Sequence, residues 1–168
     1  TIDVSGSMRA TDMEPDRMEA AKAAARAFVA KQRRGVRIGV VTFSSHAAVV
    51  QEPTADHEKV LAAIERIRTQ RGTAIGSAIL ASLDAALGRS GDSSLFSDIG
   101  QRDLTGSLEI EDPVEPGSHP YGVIVLLSDG QSNQGPDLLE VVDRTAGLGG
   151  RIFTIGMGTP GGAVIGVE

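Results

Sequence analysis

Two periods of apolar residues run through this sequence, one near 3.6 and one of continuous short runs. From Asp16 to Gln32, Met18, Ala21, Ala25, Phe28 and Val29 recur at helical spacing, which predicts a helix with these residues inward. Pro15 stands at its start and Gly35 just past its end, as helix boundaries favour. The run VRIGVVTF (36–43) is β-branched and predicts a strand. AAVVQ (47–51) follows after three residues, so the two are expected to pair as a hairpin. Residues 56–68 predict a second helix with Val60, Leu61, Ile64 and Ile67 inward. Residues 73–87 predict a third, with Ile75, Ile79, Leu83 and Leu87 on one face. GVIVLL (122–127) is apolar throughout, as a strand covered on both faces of a parallel sheet would be. A helix over 136–148 and a strand over 151–155 (RIFTI) complete the pattern. Residues 1–4 read as the end of a first strand. Strands alternating with helices predict a three-layer α/β domain, its central sheet mostly parallel.

The chain has 168 residues, enough for one domain with a full core. It reads as a single domain cut inside its first strand, with a last helix and strand expected beyond its Gly-rich end. One stretch departs from the pattern. Residues 89–119 hold seven acids against two arginines, so most of the net charge of −6 lies there. A polar segment of this length is expected to be a flexible acidic insertion.

Composition narrows the chemistry. The acidic balance and 3% aromatic content exclude a nucleic-acid surface built on basic patches and stacking. No cysteine is present, so disulfides and thiolate metal sites are excluded. No apolar run approaches the roughly 20 residues of a membrane span, so insertion of this chain into a membrane is not expected.

Three short motifs sit where an α/β sheet binds ligands, beyond the carboxyl ends of its strands. DVSGS places Asp3, Ser5 and Ser7 at alternate positions after strand 1. LLSDGQSNQG places Asp129 after the buried strand, with Gln131, Ser132 and Asn133 behind it as turn formers. RGTAIGSAI places Thr73 at a helix start, where its hydroxyl can cap or coordinate. Two carboxylates and three hydroxyls are a hard-oxygen set. They suit Mg²⁺ or Mn²⁺, and Ca²⁺ also fits, whereas Zn²⁺ prefers His and Cys. Two carboxylates only neutralise the ion. It stays electrophilic and would take an acidic group from a partner. Met8 and Arg9, next in the chain, are candidates for the same face.

These motifs resemble the von Willebrand factor type A (VWA) domain and its metal-ion-dependent adhesion site (MIDAS). The resemblance covers nearly the whole chain. It implies a Rossmann-like fold with one antiparallel edge strand, which would be 47–51. It implies that Asp3, Ser5, Ser7, Thr73 and Asp129 are the metal ligands, and that the domain binds protein rather than catalyses. The longer run DVSGSMRATDMEPDRMEAAKAAARAFV resembles bacterial aerotolerance (Bat)-type members. Ser77 stands where many of those carry Asp. The resemblance implies a membrane-anchored parent protein, association with the bacterial cell membrane, and a MoxR-type AAA+ ATPase system or other membrane proteins as partners.

Rival chemistries are less well supplied. Phosphoryl transfer with Asp3 as nucleophile needs a cation at the strand ends. Lys22, Lys31 and Lys59 all fall on predicted helices, and Arg71 is the cation nearest Thr73 in sequence. A serine hydrolase would need a G-x-S-x-G turn, which Ser5 and Ser7 lack. His46, His57 and His119 read as surface residues, and no P-loop or dinucleotide loop is present. A domain without metal, acting as a scaffold, is the remaining alternative.

Overall fold

A computed structural model describes residues 1–88, 123–131 and 135–162. The acidic segment 89–119 with His119, and Gly122, Ser132 and Asn133, lie outside the described residues.

Five strands form one sheet in the order β3-β2-β1-β4-β5. They are β1 (Ile2–Asp3), β2 (Ile38–Phe43), β3 (Ala47–Thr54), β4 (Val123–Ser128) and β5 (Arg151–Gly156). β1 runs parallel to both β2 and β4, and β4 parallel to β5. β3 turns back antiparallel on β2 at the sheet edge, as the three-residue connection predicts. Pro53 is tolerated in β3 because an edge strand needs only half of its backbone donors. β1 is central, with Ile2 opposite Thr42 on one side and Leu127 on the other.

The helices are α1 (Arg17–Lys31), α2 (His57–Arg66), α3 (Ile75–Leu87) and α4 (Leu138–Gly147). Asp16, Asp56 and Asp137 cap α1, α2 and α4, each accepting backbone N–H groups of the first turn. Because side chains alternate across a strand, the sheet carries two separate cores. One joins Ile2, Val4, Val40 and Leu127 to Met18, Ala21, Ala25 and Val29 of α1 and Val60 and Ile64 of α2. The other joins Phe43, Ile124 and Leu126 to Ile75, Ile79 and Leu83 of α3 and Val141 of α4. The result is the three-layer α/β arrangement that the pattern predicts. Among the described residues no helix is long and apolar enough to cross a membrane.

Two expectations are corrected. Phe28 is not inward: it is 39% exposed, because Val29 takes the core-facing position beside it. Met8 is not on an outer face. It is wholly buried in the first core, within a short 3₁₀ turn (Gly6–Arg9), while Arg9 is exposed.

Candidate metal centre

The strand order reverses between β1 and β4, since β2 and β3 lie on one side and β5 on the other. Asp3 ends β1 and Asp129 directly follows β4, so both carboxylates stand at this switch point. Asp3 is fully buried. Its Oδ1 accepts the Ser5 N–H at 2.8 Å, and its Oδ2 accepts the Ser128 hydroxyl at 2.7 Å. The Ser128 Oγ in turn accepts the Gly130 N–H at 3.1 Å. The Ser5 and Ser7 hydroxyls lie 2.9 Å apart, so the alternate spacing of the motif does bring these oxygens together.

The Asp129 side chain is only 4% exposed. Its Oδ1 accepts the Gln131 N–H at 3.3 Å, the turn role expected for Gln131. Its Oδ2 accepts Nη1 of Arg17 at 3.0 Å. Burial pushes the Asp3 carboxyl above its ordinary range. Hydrogen bonds from Ser5 and Ser128 oppose that rise, and the negative charge of Asp129 adds to it. Two like charges therefore sense each other at the strand ends.

Thr73 is buried in the segment between α2 and α3. That segment is tied to the strand ends: Gln70 N–H donates to Val4 O, Ser45 N–H to Arg71 O at 3.2 Å, and Ser44 Oγ to Gln70 Oε1 at 3.1 Å. Gly72 permits the approach. Its φ is +87°, and a Cβ there would meet Ser45 Cβ at 2.7 Å. The N-cap position of α3 is Ala74, one residue after Thr73.

The donor set fits a hard divalent cation. It offers two buried carboxylates that repel each other and a pair of touching hydroxyls, and Thr73 lies in a segment whose preceding residues are tied to the ends of β1 and β2. Among the described residues no group of three or more His, Cys, Asp or Glu gathers, so a carboxylate- or imidazole-rich centre is not formed there.

Two site residues lay outside the sequence reading. Ser128 was visible in LLSDG, but strand alternation alone does not say that it turns toward Asp3. Arg17 is the larger omission. The expected nearby cation was Arg71, which is exposed. The cation that reaches the site comes instead from the first residue of α1. Its Nε and Nη2 donate to Asp12 Oδ1 and Oδ2 at 2.8 and 3.0 Å. His46 is exposed, as expected, and the His57 ring lies 3.0 Å from Val36 O.

The family model of the von Willebrand factor type A domain matches residues 1–131. The UPF0353 protein of Mycobacterium ulcerans is 34% identical over 97% of this chain, which spans 44% of that relative, less than half its length. The crystal structure of an aerotolerance-related membrane protein from Bacteroides fragilis is similar with a TM-score of 0.72 at 23% identity, over 99% of this chain and 70% of that one. Proximal thread matrix protein 1 from the mussel byssus, in a structure with a zinc-occupied MIDAS motif, is similar with a TM-score of 0.61 at 18% identity. That likeness covers 92% of this chain and 36% of the mussel protein.

Proposed function

The chain belongs to the von Willebrand factor type A domain family, and on that premise we propose that it is a metal-dependent protein-interaction module. The observation that carries the reading is that Asp3, Ser5 and Ser7 follow β1 and Asp129 follows the neighbouring β4 at the switch point of the sheet, with Asp3 bonded to Ser128, the residue before Asp129. Asp3, Ser5, Ser7, Thr73 and Asp129 would hold Mg²⁺ or Mn²⁺. The bound ion would act as a Lewis acid toward a carboxylate. The neutral hydroxyls leave it short of negative charge, so an Asp or Glu of a partner protein completes the set. A zinc-occupied MIDAS in the mussel protein supports metal binding in this fold and leaves the identity of the ion here to experiment.

The module is read as non-catalytic. Phosphoryl transfer would need a cation to steady the transferring group, and Arg17, the cation bonded to Asp129, is engaged by Asp12 and Asp129 through Nε, Nη1 and Nη2. The likeness to an aerotolerance-related membrane protein supports a setting at the bacterial membrane. Partners there would be other membrane proteins or a MoxR-type AAA+ ATPase system. The test is binding of an Asp/Glu-centred peptide library to the immobilised chain. Retention that needs Mg²⁺ or Mn²⁺, and that chelation and Asp129→Ala both abolish, is the expected result. Retention that is unchanged by chelation would overturn the reading in favour of a metal-free scaffold.

A further inference from the structure

We propose that Arg17 is a resident competitor of the ion: its guanidinium shares Asp129 with the metal and holds the site's metal affinity down. This rests on the metal-binding reading above and deepens it. Three observations carry it. Arg17 is 6% exposed although it carries a permanent charge. It binds Asp12 as a two-point fork and Asp129 through its remaining Nη1, so all three nitrogens are spent on carboxylates. It also stands at the first position of α1, where the positive end of the helix dipole disfavours a cation. Helix stability therefore does not explain the residue, whereas the two carboxylates do.

The seat of the guanidinium is built. A Cβ on Gly158 would lie 3.2 to 3.4 Å from Nη2, Cζ and Nε, so glycine leaves room for the flat face of the group. Thr159 donates its N–H and hydroxyl to Asp12 Oδ2 at 2.9 and 3.2 Å. The loop after β5 thus fixes Asp12, Asp12 fixes Arg17, and Arg17 meets Asp129. An arginine left at the site merely for solubility would have none of this support.

The consequence for binding is electrostatic. With Arg17 in place, Asp129 offers the ion only part of its charge. The ion is held weakly and keeps more of its demand for a partner's carboxylate. A unit charge one side chain removed from a divalent ion shifts its binding on the order of tenfold, even with strong solvent screening. Removing the positive charge and removing the negative charge of Asp12 must then act in opposite directions.

The experiment is calorimetric titration of Mg²⁺ and Mn²⁺ into the purified chain, Arg17→Gln, Asp12→Asn and Arg17→Lys. Expected results are about tenfold tighter binding in Arg17→Gln and several-fold weaker binding in Asp12→Asn. Arg17→Lys keeps the charge and loses the fork, so its affinity should stay within about threefold of the parent. A purely structural role would weaken binding in Arg17→Gln and Asp12→Asn alike, and that result would overturn the proposal. Should Arg17→Gln fail to fold, a tenfold loss of affinity in Arg17→Lys would overturn it instead. A folded parent that binds neither ion defeats the metal-binding reading and this inference with it. A parent that binds metal, with Arg17→Gln no tighter, defeats the inference alone.

Discussion

Replacing Asp3 by Asn separates the cost of the site from its use. In the metal-free protein the Asp3 carboxylate is buried, raised in pKa by that burial, and repelled by Asp129. Asn is nearly isosteric. Its carbonyl can still accept the Ser5 N–H, and its amide can donate to Ser128 Oγ in place of the bond that Oδ2 now receives. The substitution thus removes a buried charge while the Ser128 hydroxyl proton loses its acceptor; the two effects offset, so the metal-free Asp3→Asn protein should be about as stable as the parent. Metal separates the two. A ligand at about 100 times its dissociation constant stabilises by about 2.7 kcal/mol. Unfolding entropy of about 2.1 cal/mol/K per residue gives about 0.35 kcal/mol/K for 168 residues. The parent should therefore gain about 8 °C in Tm with excess Mg²⁺. The Asp3→Asn protein should gain about 1 °C or less, since one of two carboxylates is gone. Differential scanning calorimetry with and without the ion measures both effects. A variant that keeps more than about half of the parent's shift would refute the assignment of Asp3 as a ligand. A metal-free variant that melts several degrees lower would refute the claim that its charge is a burden on the fold.

Four further outcomes are expected. The Arg17 guanidinium and the donors of Thr159 hold the Asp12 carboxyl well below the usual carboxylate range. Its contribution is therefore complete above the unfolded value near about pH 4 and is lost as pH falls toward the depressed folded value. Asp12→Asn should flatten the acid decline of stability below that pH in urea titrations. Gly72→Ala must adopt φ +87° with its Cβ against Ser45, so it should cost about 1–3 kcal/mol and reduce the metal-induced Tm shift by moving Thr73. Phe43→Ala empties a wholly buried position in the second core and should cost about 3–5 kcal/mol in chemical denaturation. Phe28→Ser, at an exposed position on α1, should change stability by no more than about 0.5 kcal/mol.

Local chemistry is enough to place the elements and the candidate site motifs. Met18, Ala21 and Ala25 bury as the helical spacing requires, and Val40, Val41 and Phe43 of β2 and Ile124, Leu126 and Leu127 of β4 bury as central strands do, whereas Val36 and Val123 at the heads of the two apolar runs stay exposed. Asp3, Ser5 and Ser7 were legible because their contact is local, within five residues of chain. Phe28 was misread because an Ala-rich helix offers more apolar positions than one face can bury, and the neighbouring Val29 settles which of them turns inward. What the sequence could not contain is the meeting of distant segments. Arg17 lies 112 positions from Asp129, and Thr159 lies 147 from Asp12. That ion pair and that hydrogen bond form only because a parallel sheet sets the ends of β1, β4 and β5 side by side and α1 begins above them. Nothing in the local sequence singles out Arg17. Burial by the tertiary fold makes it a fixed cation at the site, because in low dielectric a guanidinium must stay with its carboxylates.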